Sequence, residues 1–288
     1  MAFTLEHGEP VAAGVRRLGD EVLAEAIAQL RDGTEPAVAI HTARKATKRV
    51  RALARLARPG LGKSAAREAD VEARDAARRL AGYRDAHVVE AARAGLIATA
   101  GNAAAYEGLR EQLSVTSSPV DPGVLAVASD ALEQLRERIG AWELRTGGWG
   151  AIGGGLESIY RRGATQMRKA VNPTTAERLH DWRKSVKYLW HAVEVLSPAW
   201  PPVLGALAEE VHALSDHLGD DHDLHVLGGH LQAAGATVDS GALSDLIARR
   251  HADLRASAFT LGLRIYAEKP GPFVARLKAY SDAWAAQR

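Results

Sequence analysis

Residues 38–53, VAIHTARKATKRVRAL, and residues 177–196, ERLHDWRKSVKYLWHAVEVL, carry one pattern written twice. The first copy reads His41-x-x-Arg44-Lys45-x-x-Lys48 and the second His180-x-x-Arg183-Lys184-x-x-Lys187. Offsets of 0, +3, +4 and +7 put all four groups on one face of a helix. At about 100° per residue, His41, Arg44, Lys45, Lys48 and Arg55 share one arc, with Arg51 just beside it. Ile40, Ala43, Thr47, Val50, Leu53, Ala54 and Ala57 fill the opposite arc. In the second copy His180, Arg183, Lys184, Lys187 and His191 oppose Leu179, Trp182, Val186, Leu189, Val193 and Leu196. Each helix is expected to dock through its apolar side and present a cationic rail. From His41 to Arg55 that rail runs about 21 Å. Like charges so close repel one another, so two such stripes point to a long, densely charged anion.

The net charge of +2 conceals this segregation. No acid lies between Glu35 and Glu68, while Arg44, Lys45, Lys48, Arg49, Arg51, Arg55, Arg58, Lys63 and Arg67 all do. From Tyr188 to Ala248 there is no Lys or Arg, and residues 209–223 hold Glu209, Glu210, Asp216, Asp220, Asp221 and Asp223. That acidic stretch reads as a partner surface or a solvated face. Further basic groups precede each rail: Arg16-Arg17 before the first, Arg161-Arg162 and Arg168-Lys169 before the second. On preceding antiparallel helices they would converge on the same groove.

At 288 residues, 47% hydrophobic and 25% charged, the composition is that of a soluble globular protein of one or two domains. No apolar run approaches the roughly 18–20 residues that span a bilayer. The opening MAFTLEHGEPV lacks a basic-then-apolar leader, so no signal peptide is expected. The chain has no cysteine, which excludes disulfides, Cys-ligated zinc and thiol nucleophiles and is compatible with the cytoplasm.

The period is helical throughout, so the expected fold class is all-α. Helices are expected over 10–32, 35–58, 63–81, 85–115, 121–145, 154–171, 175–196, 200–218, 222–235, 240–264 and 272–286. Thr34-Glu35-Pro36 opens one helix and Pro59-Gly60 closes it. Thr174-x-x-Glu177 reads as a capping box, with Ser197-Pro198 ending that helix. Gly147-Gly148 through Gly153-Gly154-Gly155 is the expected link between two halves. Those halves look duplicated, because LAGYRDAHV (80–88) aligns without gaps to LGDDHDLHV (218–226). His41 to Asp85 spans 44 residues and His180 to Asp223 spans 43. Asp85 and Asp223 each follow a Gly-containing turn, which suits an N-cap, or a carboxylate that orients His41 or His180.

The doubled His-x-x-Arg-Lys helices, the paired LAGYRDAHV and LGDDHDLHV elements and the YRRG at 160–163 resemble the CHAD domain, the conserved histidine α-helical domain. The resemblance covers nearly the whole chain from about Glu9. It implies two four-helix bundles related by a pseudo-two-fold, residues 9–146 and 150–288, with a basic groove at their junction. Family members bind inorganic polyphosphate and some localise to polyphosphate granules, so a non-catalytic polyphosphate binder in the cytoplasm, on such granules, is expected. By position His41, Arg44, Lys45, Lys48 and Arg51, with His180, Arg183, Lys184 and Lys187, would carry the ligand contacts. Arg17, Arg161 and Arg162 are additional candidates, and the charge pattern adds Arg49, Arg55 and Arg168. Trp190 stands where the first half has Arg51, which shortens the second rail, and Asp181 beside His180 would weaken phosphate binding there. No triphosphate-tunnel domain is expected, since its Glu-x-Glu-x-Lys motif is missing.

Three other readings compete. A solvated amphipathic face would mix signs at i,i+4, and the first rail contains no acid. A metal-dependent phosphohydrolase of helical His-Asp type would draw on His212, His217, His222, Asp223 and His225, with His-Asp pairs at 180–181 and 222–223. Thr42 and Arg84 stand where the second half has Asp181 and His222, and Arg and Lys around a cation site are unfavourable. No metal, cofactor or catalytic residue is therefore expected. A nucleic-acid module would interleave aromatics for stacking, and only Tyr188 and Trp190 flank the rails.

Overall fold

The computed structural model describes residues 3–80, 94–96, 120–233 and 240–287, and these form helices with no strand among them. In chain order they are α1 (Val11–Asp32), α2 (Pro36–Leu56), α3 (Arg58–Leu61), α4 (Lys63–Arg79), α5 (Pro122–Gly140), α6 (Gly153–Val171), α7 (Ala176–Leu196), α8 (Ala206–Ala233), α9 (Ser240–Ile265) and α10 (Pro270–Ala285). Most of the helix expected over 85–115 lies outside the described residues. Arg84, Asp85 and His87 lie outside them too, and with them the capping and orienting roles expected of Asp85.

The two motif helices form because their apolar arcs have somewhere to go. All seven residues of the apolar arc on the first copy are buried, from Ile40 at 4% exposure to Ala54 at 0%. On α7, Leu179, Trp182, Val186, Leu189, Val193 and Leu196 are buried likewise. Each large side chain contributes roughly 1.5–3 kcal/mol on removal from water, against a few tenths of a kcal/mol for each like-charge pair at i,i+4. Burial therefore wins, and the cationic stripe is tolerated. Trp182 anchors α7, its ring stacked on Phe259 of α9 at 5.2 Å between centroids.

In the first half α1 packs on α2 and α5, and α4 packs on α2 and α5. In the second half α6 packs on α7 and α10, α7 on α8, and α8 on α9. Between the halves α2 packs directly on α7 and on α6, so one hydrophobic core runs through both. A smaller cluster gathers Leu96, Leu224, Leu227, Leu231, Leu243 and Leu246. The segment ahead of α1 also bridges the halves: Phe3 is 2% exposed, and the Leu5 amide donates to the Val195 carbonyl at 3.0 Å.

Four local expectations are corrected. The helices expected over 200–218 and 222–235 are one: α8 continues through Gly219, and a short π-helical turn at Pro201–Gly205 precedes it. Asp223 therefore sits in mid-helix and caps nothing. The N-cap of α7 is Thr175, whose Oγ1 accepts from the Arg178 amide at 3.3 Å, while Thr174 Oγ1 donates to the Val171 carbonyl. Pro59 and Gly60 lie inside the short α3, which follows α2 after Ala57. The glycine run from 147 to 155 serves close packing as well as a change of direction. A Cβ on Gly155 would stand 2.0 Å from the Leu56 carbonyl oxygen, so only glycine lets α6 meet the end of α2.

Gly155→Ala tests that approach. Intrinsic propensity alone would favour alanine in a helix by up to about 1 kcal/mol. Backbone crowding should reverse the sign and cost about 1–3 kcal/mol, seen as a lower urea midpoint at constant slope. Gly228→Ala in α8, where a Cβ meets nothing within 4 Å, should be neutral or stabilising in the same assay.

Candidate anion-binding site

The two motif helices, α2 and α7, cross in direct contact. Arg49 Nη2 donates to Glu194 Oε1 at 3.0 Å, and the Arg55 guanidinium lies 4.0 Å from the Tyr188 ring centroid, with that of Arg51 at 5.8 Å. The pairing order, 49 with 194 and 55 with 188, is that of an antiparallel crossing. His41 to Lys48 therefore extend from the crossing in one direction and Lys187 to His180 in the other. α4 flanks the first rail along its length: Arg44 Nη1 donates to the Ala77 carbonyl at 3.1 Å, and Arg51 reaches Asp70.

The wheel explains which cations are captured from the sides. Taking His41 as zero, Arg49 lies about 80° to one side and Arg51 about 80° to the other, whereas Lys48 lies within about 20°. Arg51 and Arg55 share Asp70, the Arg51 Nε contact being 2.7 Å. Burial pushes the Asp70 carboxyl up, but hydrogen bonds and charge from Arg55 and Arg51 overturn this and hold it below the ordinary value. Glu194 behaves alike: burial raises it, and His191 with Arg49 brings it below the usual carboxylate range. His41 and Lys45 are exposed, and Arg44 and Lys48 half-buried.

On the second rail Lys184 is exposed and pairs with Asp181 at 2.6 Å, which lowers the Asp181 carboxyl. The charge of Arg162 on α6 adds to that lowering. His180 is half-buried, with its ring 4.7 Å from that of His222 on α8. Its Nδ1 is shielded from solvent and makes no hydrogen bond. Burial first, then Lys184 and Arg183, depress the His180 pKa below the ordinary histidine value. Arg183 is 9% exposed and lies over Gly219, where a Cβ would stand 3.3 Å from its Nη2. Glycine at 219 thus admits a guanidinium rather than making a turn. Lys187 lies between the histidines, lowering the pKa of both His180 and His191.

Several expected members lie elsewhere. Arg17 is held by Glu9 at 2.8 Å, Glu21 at 3.2 Å and Glu6 at 3.6 Å, and also donates to the Thr4 carbonyl. Arg161 pairs with Glu157 on its own helix, and Arg168 donates to Thr165 Oγ1 at 3.2 Å. His191, on the rail arc by angle, is 2% exposed: its Nδ1 bonds Glu194 at 3.0 Å, and its ring meets Phe3 edge-on and stacks on Trp190. The YRRG element splits by direction. Tyr160 is buried and donates to the carbonyls of Ile265 and Glu268, while Arg161 and Arg162 face outward. Asp223 keeps Oδ1 buried without a hydrogen bond, in a cleft with Asp220, Arg250 and Leu254.

Asp70, Glu194, Tyr188 and His222 were not read from the sequence as members of this site, because each acts across a helix pair. Part of the acidic stretch is internal as well. Asp221, 2% exposed, bonds His251 Nδ1 at 2.6 Å and Arg255 Nε at 2.7 Å, and Asp220 faces Arg250 at 4.0 Å. Among the described residues no three His, Asp or Glu side chains are grouped to hold a metal ion, and no helix is long and apolar enough to cross a membrane.

The family model of the CHAD domain matches residues 14–232. No curated protein matches the chain.

Proposed function

The chain belongs to the CHAD domain family, and from that premise we propose that it binds inorganic polyphosphate along the two rails without cleaving it. The observation that carries this reading is the direct packing of α2 on α7, the two helices that bear the His-x-x-Arg-Lys stripes. Arginine forks match phosphate oxygens bidentately and lysine supplies a mobile point charge, so a linear polyanion gains contacts from both residue types along its length. The rails and their meeting point form one basic groove in this proposal, with His41, Arg44, Lys45 and Lys48 on one arm and Arg51 and Arg55 at the crossing. His180, Arg183, Lys184 and Lys187 line the other arm, and Arg162 flanks it. Arg17 is left out, since three carboxylates already surround it. Arg49, Arg161 and Arg168 are left out for their own local partners.

Three recurring helix pairs support a duplicated, pseudo-two-fold arrangement: α1 with α2 and α6 with α7, α2 with α4 and α7 with α8, α1 with α5 and α6 with α10. Binding without hydrolysis is favoured over the metal-dependent reading because the tightest Asp–His pair, Asp221–His251, is closed by the Arg255 cation. Nucleic acid is disfavoured because the two aromatics beside the rails are already engaged. Tyr188 carries Arg55, and Trp190 lies 3.9 Å from His212 between centroids. Residence on polyphosphate granules follows from the same reading, and immunogold labelling of polyphosphate-loaded cells would test it.

Lys45→Gln with Lys184→Gln replaces exposed groups on each arm and leaves the core untouched. The variant should keep the helical CD spectrum, weaken long-chain polyphosphate binding, and reduce the slope of log K against log salt by about one per lost contact. An unchanged slope would remove these faces from the site. Arg183 is a poorer choice, since a charge reversal there would bury an unpaired carboxylate.

The pH dependence has a definite sign. The folded His180 pKa is depressed, so without ligand the neutral form is favoured, and stability falls as pH drops below the unfolded value near about 6.5. A bound polyanion favours the charged form, so binding should take up protons and be tighter at about pH 6 than at pH 8. His41→Gln with His180→Gln should remove most of that increment in a titration repeated at pH 8, 6.5 and 5.5. An increment unchanged in the variant would assign it to another group.

A further inference from the structure

At the crossing of α2 and α7, three helices deliver four groups to one point. Arg51 and Arg55 come from α2, Tyr188 from α7 and Asp70 from α4. Asp70 Oδ1 accepts from Arg51 Nε at 2.7 Å and from Arg55 Nη1 at 2.5 Å. Both guanidinium groups lie against the Tyr188 ring, Arg55 closer. The Asp70 side chain is 19% exposed and the two arginines 21% and 30%, so the cluster is sheltered yet reachable from solvent.

A carboxylate oxygen shared by two arginines is what a phosphate oxygen would make in the same place. The chain supplies its own anion there. Because the crossing is antiparallel, the point lies between the two arms, and an anion that engages both must pass it. One negative charge against two positive ones leaves an excess of a single cation, so the crossing is attractive but only after the carboxylate gives way. An anion that sits on one arm, among His41 to Lys48 or His180 to Lys187, never meets this competition.

We propose that Asp70 is an internal competitor that a polyphosphate displaces from Arg51 and Arg55 in order to run from one arm to the other. Asp70 thereby sets the preference between short chains, which bind one arm, and long chains, which bind both. This inference rests on the polyphosphate reading above. The same contact also orders the arginines when no ligand is present, since the carboxylate holds both side chains beside Tyr188.

The test is the ratio of affinities for long-chain polyphosphate and tripolyphosphate, measured for the wild type, Asp70→Asn and Asp70→Ala at one salt concentration. Asparagine keeps the shape and removes the charge. It should tighten long-chain binding about tenfold, the scale of one partly screened charge contact, and leave tripolyphosphate within about twofold. The long-chain salt slope should steepen by about one as Arg51 and Arg55 become available to phosphate. Alanine should show the same ratio change even if its melting temperature falls, and CD at the assay temperature confirms that it is folded. A ratio unchanged in both variants, or long-chain binding weakened in both, overturns the inference and leaves Asp70 as a positioning residue. Wild-type protein that binds neither chain overturns the polyphosphate reading along with it.

Discussion

The packing of α2 on α7 is the constraint from which the rest of the molecule follows. Both helices carry a dense cationic stripe, and bringing two such stripes together is electrostatically unfavourable. Burial of Val50 and Leu53 on one helix and of Trp182, Val186, Leu189 and Val193 on the other is worth several times the repulsion, so both helices stay docked on the shared core. The cost is then reduced locally by three carboxylates from different directions. Glu194 takes Arg49, Asp70 takes Arg51 and Arg55, and Asp181 takes Lys184. Each carboxylate stands at the edge of a rail and captures the cations nearest it on the wheel. The stripe keeps a net positive charge while its margins are neutralised, which is how a strongly charged surface is kept on a marginally stable fold.

Helix type and buried face were legible because they depend on period alone. Every residue assigned to the apolar arcs of the two motif helices is buried, and observed bounds fall within a few residues of the expected ones. What was not legible depends on a neighbour from another part of the chain. Gly219 followed by two aspartates looks like a helix stop, yet Arg183 from α7 lies across that glycine and α8 runs on. Arg17 looked like a rail extension until Glu6, Glu9 and Glu21 closed around it, two of them from the segment ahead of α1.

His180 and His191 show the same limit on one helix. They are separated by about 20° on the wheel, so both fall on the polar arc. The first lies beside His222 at the cationic end of α7, whereas the second is covered by Phe3 and Trp190 and bonded to Glu194. The wheel gives azimuth and says nothing of which neighbour stands at that height. The acidic stretch divides in the same way. Asp221 turns inward to His251 and Arg255, while Glu209 and Glu210 stay on the surface.

The distribution of shifted groups fixes how the junction responds to pH. Asp70, Asp181 and Glu194 are all held below the ordinary carboxylate range, so the counter-charges persist to more acidic pH than they would in the unfolded chain. Burial holds both His180 and His191 toward the neutral form. His191 is sealed among Phe3, Trp190 and Glu194, out of an anion's reach, whereas His180 borders the rail. On the reading proposed above, a polyanion on α7 would favour the protonated form of His180 and leave the covered His191 untouched.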